Sequence, residues 1–154
     1  MEISRATELM IELMDQHRLF AQGWTGGWNN RKRALGVCKS RSKSIELSRP
    51  LVLVNDEKVI RNTILHEIAH AIAGYDAGHG PMWKLVAIRV GAEPVSCAAT
   101  ANRVLPNAPW QAICTGCGQV VQRFRKPRRI ISCGTCCPHV FNSKFQFSFQ
   151  RMQS

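Results

Sequence analysis

TILHEIAHAIAG, residues 63–74, is the stretch on which the reading of the whole chain turns. Positions four apart on an α-helix lie about 40° apart around its axis. His66 and His70 therefore present two imidazoles on one face, and Glu67 leans over the same point. Two neutral imidazoles can share one metal ion, and a carboxylate beside them can take a proton from an attacking water. That combination points to metal-assisted hydrolysis. The helical context is present: Asp56 is placed to cap, Ile60, Ile64, Ile68, Ala71 and Ile72 recur on a helical stripe, and Gly74 stops it.

A catalytic zinc needs a third protein ligand and an open position. His79, in GYDAGHGPMW (residues 74–83), is the leading candidate, because Gly78 and Gly80 let the backbone fold its imidazole back toward the helix. Asp76 is the rival: it stands six residues after His70, where the pattern HExxHxxGxxH places a third ligand. That pattern also wants glycine at position 73, which here is Ala73, so His79 is preferred.

Outward from this helix, Ile3, Ala6, Met10, Leu13, Met14 and Phe20 have the spacing of an amphipathic helix over residues 3–20. Residues 24–48 break into short segments punctuated by glycine and basic residues, the texture of a small antiparallel sheet. Within them, GGWNNRKR (residues 26–33) is a basic turn that reads as solvated surface ahead of a nucleic-acid hairpin. Pro81 opens a further helix that ends at Gly91, and residues 92–109 read as a linker.

Seven cysteines divide by spacing. Cys114, Cys117, Cys133 and Cys136 form two C-x2-C pairs with 15 residues between them, which lets two knuckles close around a structural zinc. Cys137 or His139 could substitute in the second pair, and Cys38 and Cys97 stand alone. QVVQRF and KFQFSF alternate like ribbon strands. The expected organisation is α+β: a zincin-like metalloprotease core at 1–105 (N-terminal helix, small antiparallel sheet, HExxH helix) and a zinc ribbon at 106–154.

Composition, 45% hydrophobic and 20% charged, is that of a globular chain. No apolar run approaches the roughly 18 residues of a membrane span, and the N-terminal stretch is acidic where a leader peptide would be basic. A cytoplasmic, monomeric protein without membrane contact is expected. Residues 94–154 carry 8 Lys and Arg and no acid, so they should attract polyanions, with DNA the natural partner. Arg123, Arg125, Lys126, Arg128 and Arg129 between the knuckles are the candidate phosphate contacts. Phe124, or Phe145, Phe147 and Phe149, are candidates to stack on bases, though the alternating Phe145, Phe147 and Phe149 fit one buried strand face better.

TILHEIAHAIAG, GHGPMW, the upstream WNNRKRALGVCKSRSKSIELS and the downstream CTGC and CGTC together resemble the SprT-like family, to which Spartan belongs. The resemblance implies that His66, His70 and His79 bind a catalytic zinc, that Glu67 is the base, and that the substrates are proteins on or crosslinked to DNA. It also implies that a small zinc-binding subdomain engages the DNA, with single-stranded character in what it binds. The segment between His70 and His79 is shorter than in Spartan and the chain ends soon after the ribbon, so a minimal bacterial or viral member is expected. The alternative is a non-catalytic nucleic-acid-binding zinc protein, against which an intact Glu67 argues. Tyr75, the single tyrosine, is a candidate to stabilise the oxyanion.

Overall fold

The computed structural model describes residues 1–95 and 104–152, apart from the Tyr75 side chain. The chain divides into two units, Met1–Pro106 and Asn107–Ser154. The first holds helices and a three-stranded sheet and the second a smaller sheet, so the protein is mixed α and β.

In the first unit, helix α1 (Ile3–Gln16) buries Ala6, Leu9, Met10, Leu13 and Met14, a stripe of i, i+3 and i+4 neighbours. It stops four residues short of the expected end. Arg18 takes φ 55°, and the Leu19 N–H donates to the Met14 carbonyl at 2.9 Å, reversing the chain so that Leu19 enters the core. Strands β1 (Thr25–Asn29), β2 (Gly36–Lys39) and β3 (Ser44–Ser48) follow in the order β1-β3-β2.

This sheet is mixed, not antiparallel as expected. β2 pairs antiparallel with β3, but β1 runs parallel to it. The loop at 30–35 carries the chain past β3, so β1 and β2 end on opposite edges instead of forming a hairpin. Ile45 and Leu47 of β3 point into the core.

A single turn, α2 (Arg49–Val52), leads to α3 (Glu57–Ala73). Asp56 caps α3 through a bond to its side chain from the Val59 N–H at 2.9 Å, and Gly74 at φ 88° ends it. Pro81 starts α4 (Pro81–Val90), which closes at Gly91 with φ 85°. Ile60, Ile64 and Ile68 of α3 meet Leu9 and Leu13 of α1, Leu47 of β3 and Trp83 of α4 in one continuous core. No helix among the described residues is long and apolar enough to cross a membrane.

In the second unit, β4 (Trp110–Ile113) lies between β5 (Val120–Arg123) and β6 (Gln150–Arg151), all antiparallel. KFQFSF is not a regular strand. It starts with a 3-10 turn at Ser143–Phe145 and then touches Ser132 through an isolated bridge at Gln146. The phenylalanine alternation survives this change, with Phe145, Phe147 and Phe149 all packed into the cluster around Cys114 and Cys133. Those rings are therefore core, not stacking surface.

Asn55 is the main polar tie within the first unit. It is 4% exposed, its Nδ2 donates to the carbonyls of Leu51 and Val104 at 2.8 Å each, and its Oδ1 accepts from the Val104 N–H at 2.8 Å. Replacement by alanine strands buried backbone groups at about 1–3 kcal/mol. Asn55→Ala should therefore lower stability by about 2–3 kcal/mol in a urea titration, with the midpoint moving and the slope unchanged.

Candidate metal centres

Helix α3 runs through the core, yet its middle turn exchanges hydrocarbon for His66 and Glu67, which are 4% and 5% exposed. The helical repeat brings His70 alongside, and the turn at Tyr75–Ala77 returns the chain so that His79 faces both. The three Nε2 atoms form a near-equilateral triangle: 3.2 Å between His66 and His70, and 3.1 Å from His79 to each. Tetrahedral zinc with bonds of about 2.0–2.1 Å requires nitrogens about 3.3 Å apart, so this donor set fits the ion. Asp76 is exposed and is not in the cluster. Burial, then the neighbouring imidazoles, push His66 down to about 3, and burial, then His79, push His70 down to about 4. Both rings are thus neutral at physiological pH, the form in which imidazole ligates.

Two features around this triangle are not legible as motifs. Trp83, fully buried in the first turn of α4, packs against all three imidazoles, with ring centroids at 4.6, 5.2 and 4.6 Å from His66, His70 and His79. Its Nε1 finds no hydrogen-bond partner among the described residues, so the ring's packing is what holds it there. The second feature is β2. Its Cys38 backbone N–H donates to the Glu67 carboxylate, and its Gly36 lies so close that an added Cβ would come within 2.7 Å of Thr63 Cγ2 and 2.8 Å of Glu67 Cγ and Oε1. Burial pushes Glu67 up to about 7, with the Cys38 N–H opposing the shift. Cys38 itself is half-buried, and burial, then the charge of Glu67, push its thiol up to about 11. Glycine at 36 reads in sequence as turn punctuation; its actual role is to leave room for the acid.

The four cysteines of the second unit also converge. Cys114 Sγ is 3.7 Å from Cys136 Sγ, and Cys117 Sγ is 3.6 Å from Cys133 Sγ. Tetrahedral zinc with Zn–S of about 2.3 Å calls for about 3.8 Å. Gly116 allows its knuckle to close, since a Cβ there would strike the Phe145 ring at 2.5 Å. Cys137 and His139 stay outside the cluster; the Cys137 N–H instead closes the second knuckle on the Cys133 carbonyl at 2.9 Å. Cys97 lies outside the described residues.

The SprT-like family model matches residues 7–103, well over half the chain, from within α1 to beyond α4. This chain belongs to the SprT-like family. Membership makes residues 7–103 a metalloprotease-type domain, and the histidine triangle falls inside it, whereas the cysteine cluster lies beyond it. No curated protein matches the chain.

Of the predicted phosphate contacts, Arg125, Lys126, Arg128 and Arg129 are exposed in the loop after β5. Arg123 belongs to β5 itself, opposite Trp110. Trp110 and Arg151 were not singled out by sequence, because nothing local marks them. The sheet places Trp110 between Arg123 and Arg151, with Lys126 Nζ 5.4 Å from its ring centroid.

Two checks follow from these geometries. Zinc-loaded protein should contain two ions per chain by atomic absorption: His70→Ala should lose one with the ribbon still folded, and Cys114→Ser should lose the other together with the ribbon's fold. A single ion in the loaded wild type would show that only one of the two clusters is a zinc site. Gly36→Ala should destabilise the protein by about 1–3 kcal/mol, the usual cost of forcing a methyl into packed space. Gly27→Ala is the control in calorimetry, because a Cβ there meets nothing closer than 3.4 Å.

Proposed function

We propose that this SprT-like protein is a zinc-dependent endopeptidase, DNA-associated and cytoplasmic, that cleaves proteins bound or crosslinked to DNA. The observation that carries the catalytic part is the placement of a buried carboxylate, Glu67, on the helical turn between two members of a three-imidazole cluster whose spacing suits zinc. His66, His70 and His79 would hold the ion. When bound, it supplies Lewis-acid polarisation of a scissile carbonyl and lowers the pKa of an attacking water.

The protein's own groups then have distinct tasks. Glu67 accepts the water's proton and returns it to the departing amide nitrogen. The Cys38 N–H and the gap at Gly36 keep the Glu67 carboxylate in one position while that proton moves. Trp83 fixes the ring planes of the three ligands and shuts water out from behind them. Three protein ligands, against four at the cysteine cluster, leave a position for substrate, which separates a catalytic from a structural centre.

Support for nucleic acid as a partner comes from the ribbon. Arg123, Lys126 and Arg151 neighbour Trp110, Arg125, Arg128 and Arg129 are exposed in the loop after β5, and the second unit has no acidic residue. Cations suit phosphates and the face of an indole suits an unpaired base, a combination matched to single-stranded DNA.

Glu67→Gln is the decisive variant. Glutamine keeps the shape but cannot accept the proton, so cleavage of a DNA-bound protein should fall by about 10²–10⁴ with zinc content and DNA affinity unchanged. Equal cleavage by the variant at equal zinc loading would refute the mechanism. If wild type cleaves nothing with any DNA form, the non-catalytic binding reading takes its place.

A further inference from the structure

We propose that the catalytic unit carries its own phosphodiester-binding surface, formed by Arg31, Lys32 and Arg33 in the loop between β1 and β2 and by Arg49 at the start of α2, at the edge of the Glu67 cleft. The inference rests on the DNA-associated reading above and assigns it a second contact, separate from the ribbon.

Sequence alone favours a solvated turn here. The structure shows a loop fastened at several points. The Arg31 N–H donates to Asn29 Oδ1 at 2.9 Å, the Ser48 hydroxyl donates to the Arg31 carbonyl, and the Ser48 N–H donates to the Leu35 carbonyl at 2.8 Å. Leu35 anchors the far end, 2% exposed, while Arg31, Lys32 and Arg33 are all exposed. A turn that only displays charge to water gains nothing from losing backbone freedom. A binding loop does gain, because that entropy is already lost before its ligand arrives.

The surroundings favour an anion. Arg49 follows Ser48 directly, and its guanidinium is 5.2 Å from the Trp28 ring, which restrains it beside the loop. Residues 29–49 contain one acid, Glu46, and it is occupied by Lys39 Nζ and, at 3.4 Å, by Asn29 Nδ2. The loop itself, residues 30–35, contains no carboxylate.

Position supplies the functional content. The loop runs straight into Gly36, which abuts Glu67, and three residues from Arg33 to Gly36 span at most about 11 Å. A nucleic-acid strand held on this loop would lie close to β2, which abuts Glu67, so a protein attached to that nucleic acid would be held near the histidine triangle. The ribbon would then supply affinity, and this loop would supply placement.

The test is fluorescence anisotropy of a labelled single-stranded oligonucleotide with zinc-loaded full-length protein over a series of salt concentrations. Each phosphate contact on a single strand contributes about 0.7 to the log–log salt slope. R31A/K32A/R33A should make the slope less negative by about 2, and R49Q, which leaves the loop intact, by about 0.7. R31K/R33K should keep the wild-type slope. K58A/R61A/K84A, which removes three exposed cations elsewhere on the same unit, should also keep it. If the loop variant differs from wild type no more than that remote variant does, the loop is solvated surface and the proposal falls, while the DNA-associated reading stands on the ribbon alone. If wild type shows no salt-dependent binding, both fall together.

Discussion

A carboxylate buried on a core helix is the constraint around which the first unit is arranged. Glu67 sits on α3 one turn from Ile64 and next to Ile68, both fully buried, so its charge is stripped of water in the middle of hydrocarbon. Such a group persists only if its surroundings supply replacement polarity. The Cys38 N–H does so from one side, and a dication at the histidine triangle would do so from the other. This explains why β2 must approach α3 backbone-first: a side chain at 36 would separate donor from acceptor. It also explains why β3, not β2, occupies the centre of the sheet. A central strand spends its backbone N–H groups on both neighbours, whereas an edge strand has groups left to turn toward a helix.

The same arrangement shows which parts of the protein can be read from sequence. Helix α3 is legible from end to end because Asp56, the isoleucine stripe and Gly74 are local signals that agree with one another. So are α4, set between Pro81 and Gly91, and the knuckles, set by C-x2-C spacing. The end of α1 is not, because Phe20 continues the apolar period while a residue without any turn signature, Arg18, adopts a left-handed conformation to bury Leu19. Strand partners are illegible for a related reason. Alternation reveals a strand, but parallel pairing of β1 with β3 depends on the path of the 30–35 loop. Gly36 and Trp110 carry meaning only through residues distant in sequence, and each reads in isolation as turn or strand, while Trp83 also depends on His66 and His70 of the preceding helix.

The two units answer the cost of small size differently. The first surrounds its polar site with a continuous apolar core. The packed cluster of the second, among the described residues, buries Ala112, Cys114, Cys133 and Phe147, with a few half-buried neighbours, and two of those four residues are thiols. A unit of this size buries little hydrocarbon to offset the entropy of ordering its chain, and a metal held by the four cysteines would add the missing cross-link. Backbone N–H groups of Cys136 and Thr135 already hold the Cys133 thiol below its ordinary range, toward the thiolate that ligation requires.

Ligand type and ligand number thus divide the work between the two centres. Four sulfurs leave no room for a substrate, and glycine at 116 lets Phe145 press against the knuckle, so the ribbon site is suited to holding shape. Three imidazoles leave a position open, and the burial around them is uneven: His66 lies in the core, His70 is half-buried, and His79 is exposed. The exposed side of the triangle is therefore the His79 side, which a segment bracketed by Gly78 and Gly80 supplies. Because His79 comes from this glycine-flanked turn while the other two ligands come from a core helix, the third ligand is the one whose position depends on a neighbour. Trp83, four residues further along and packed against all three rings, is the residue that ties the turn to the helix.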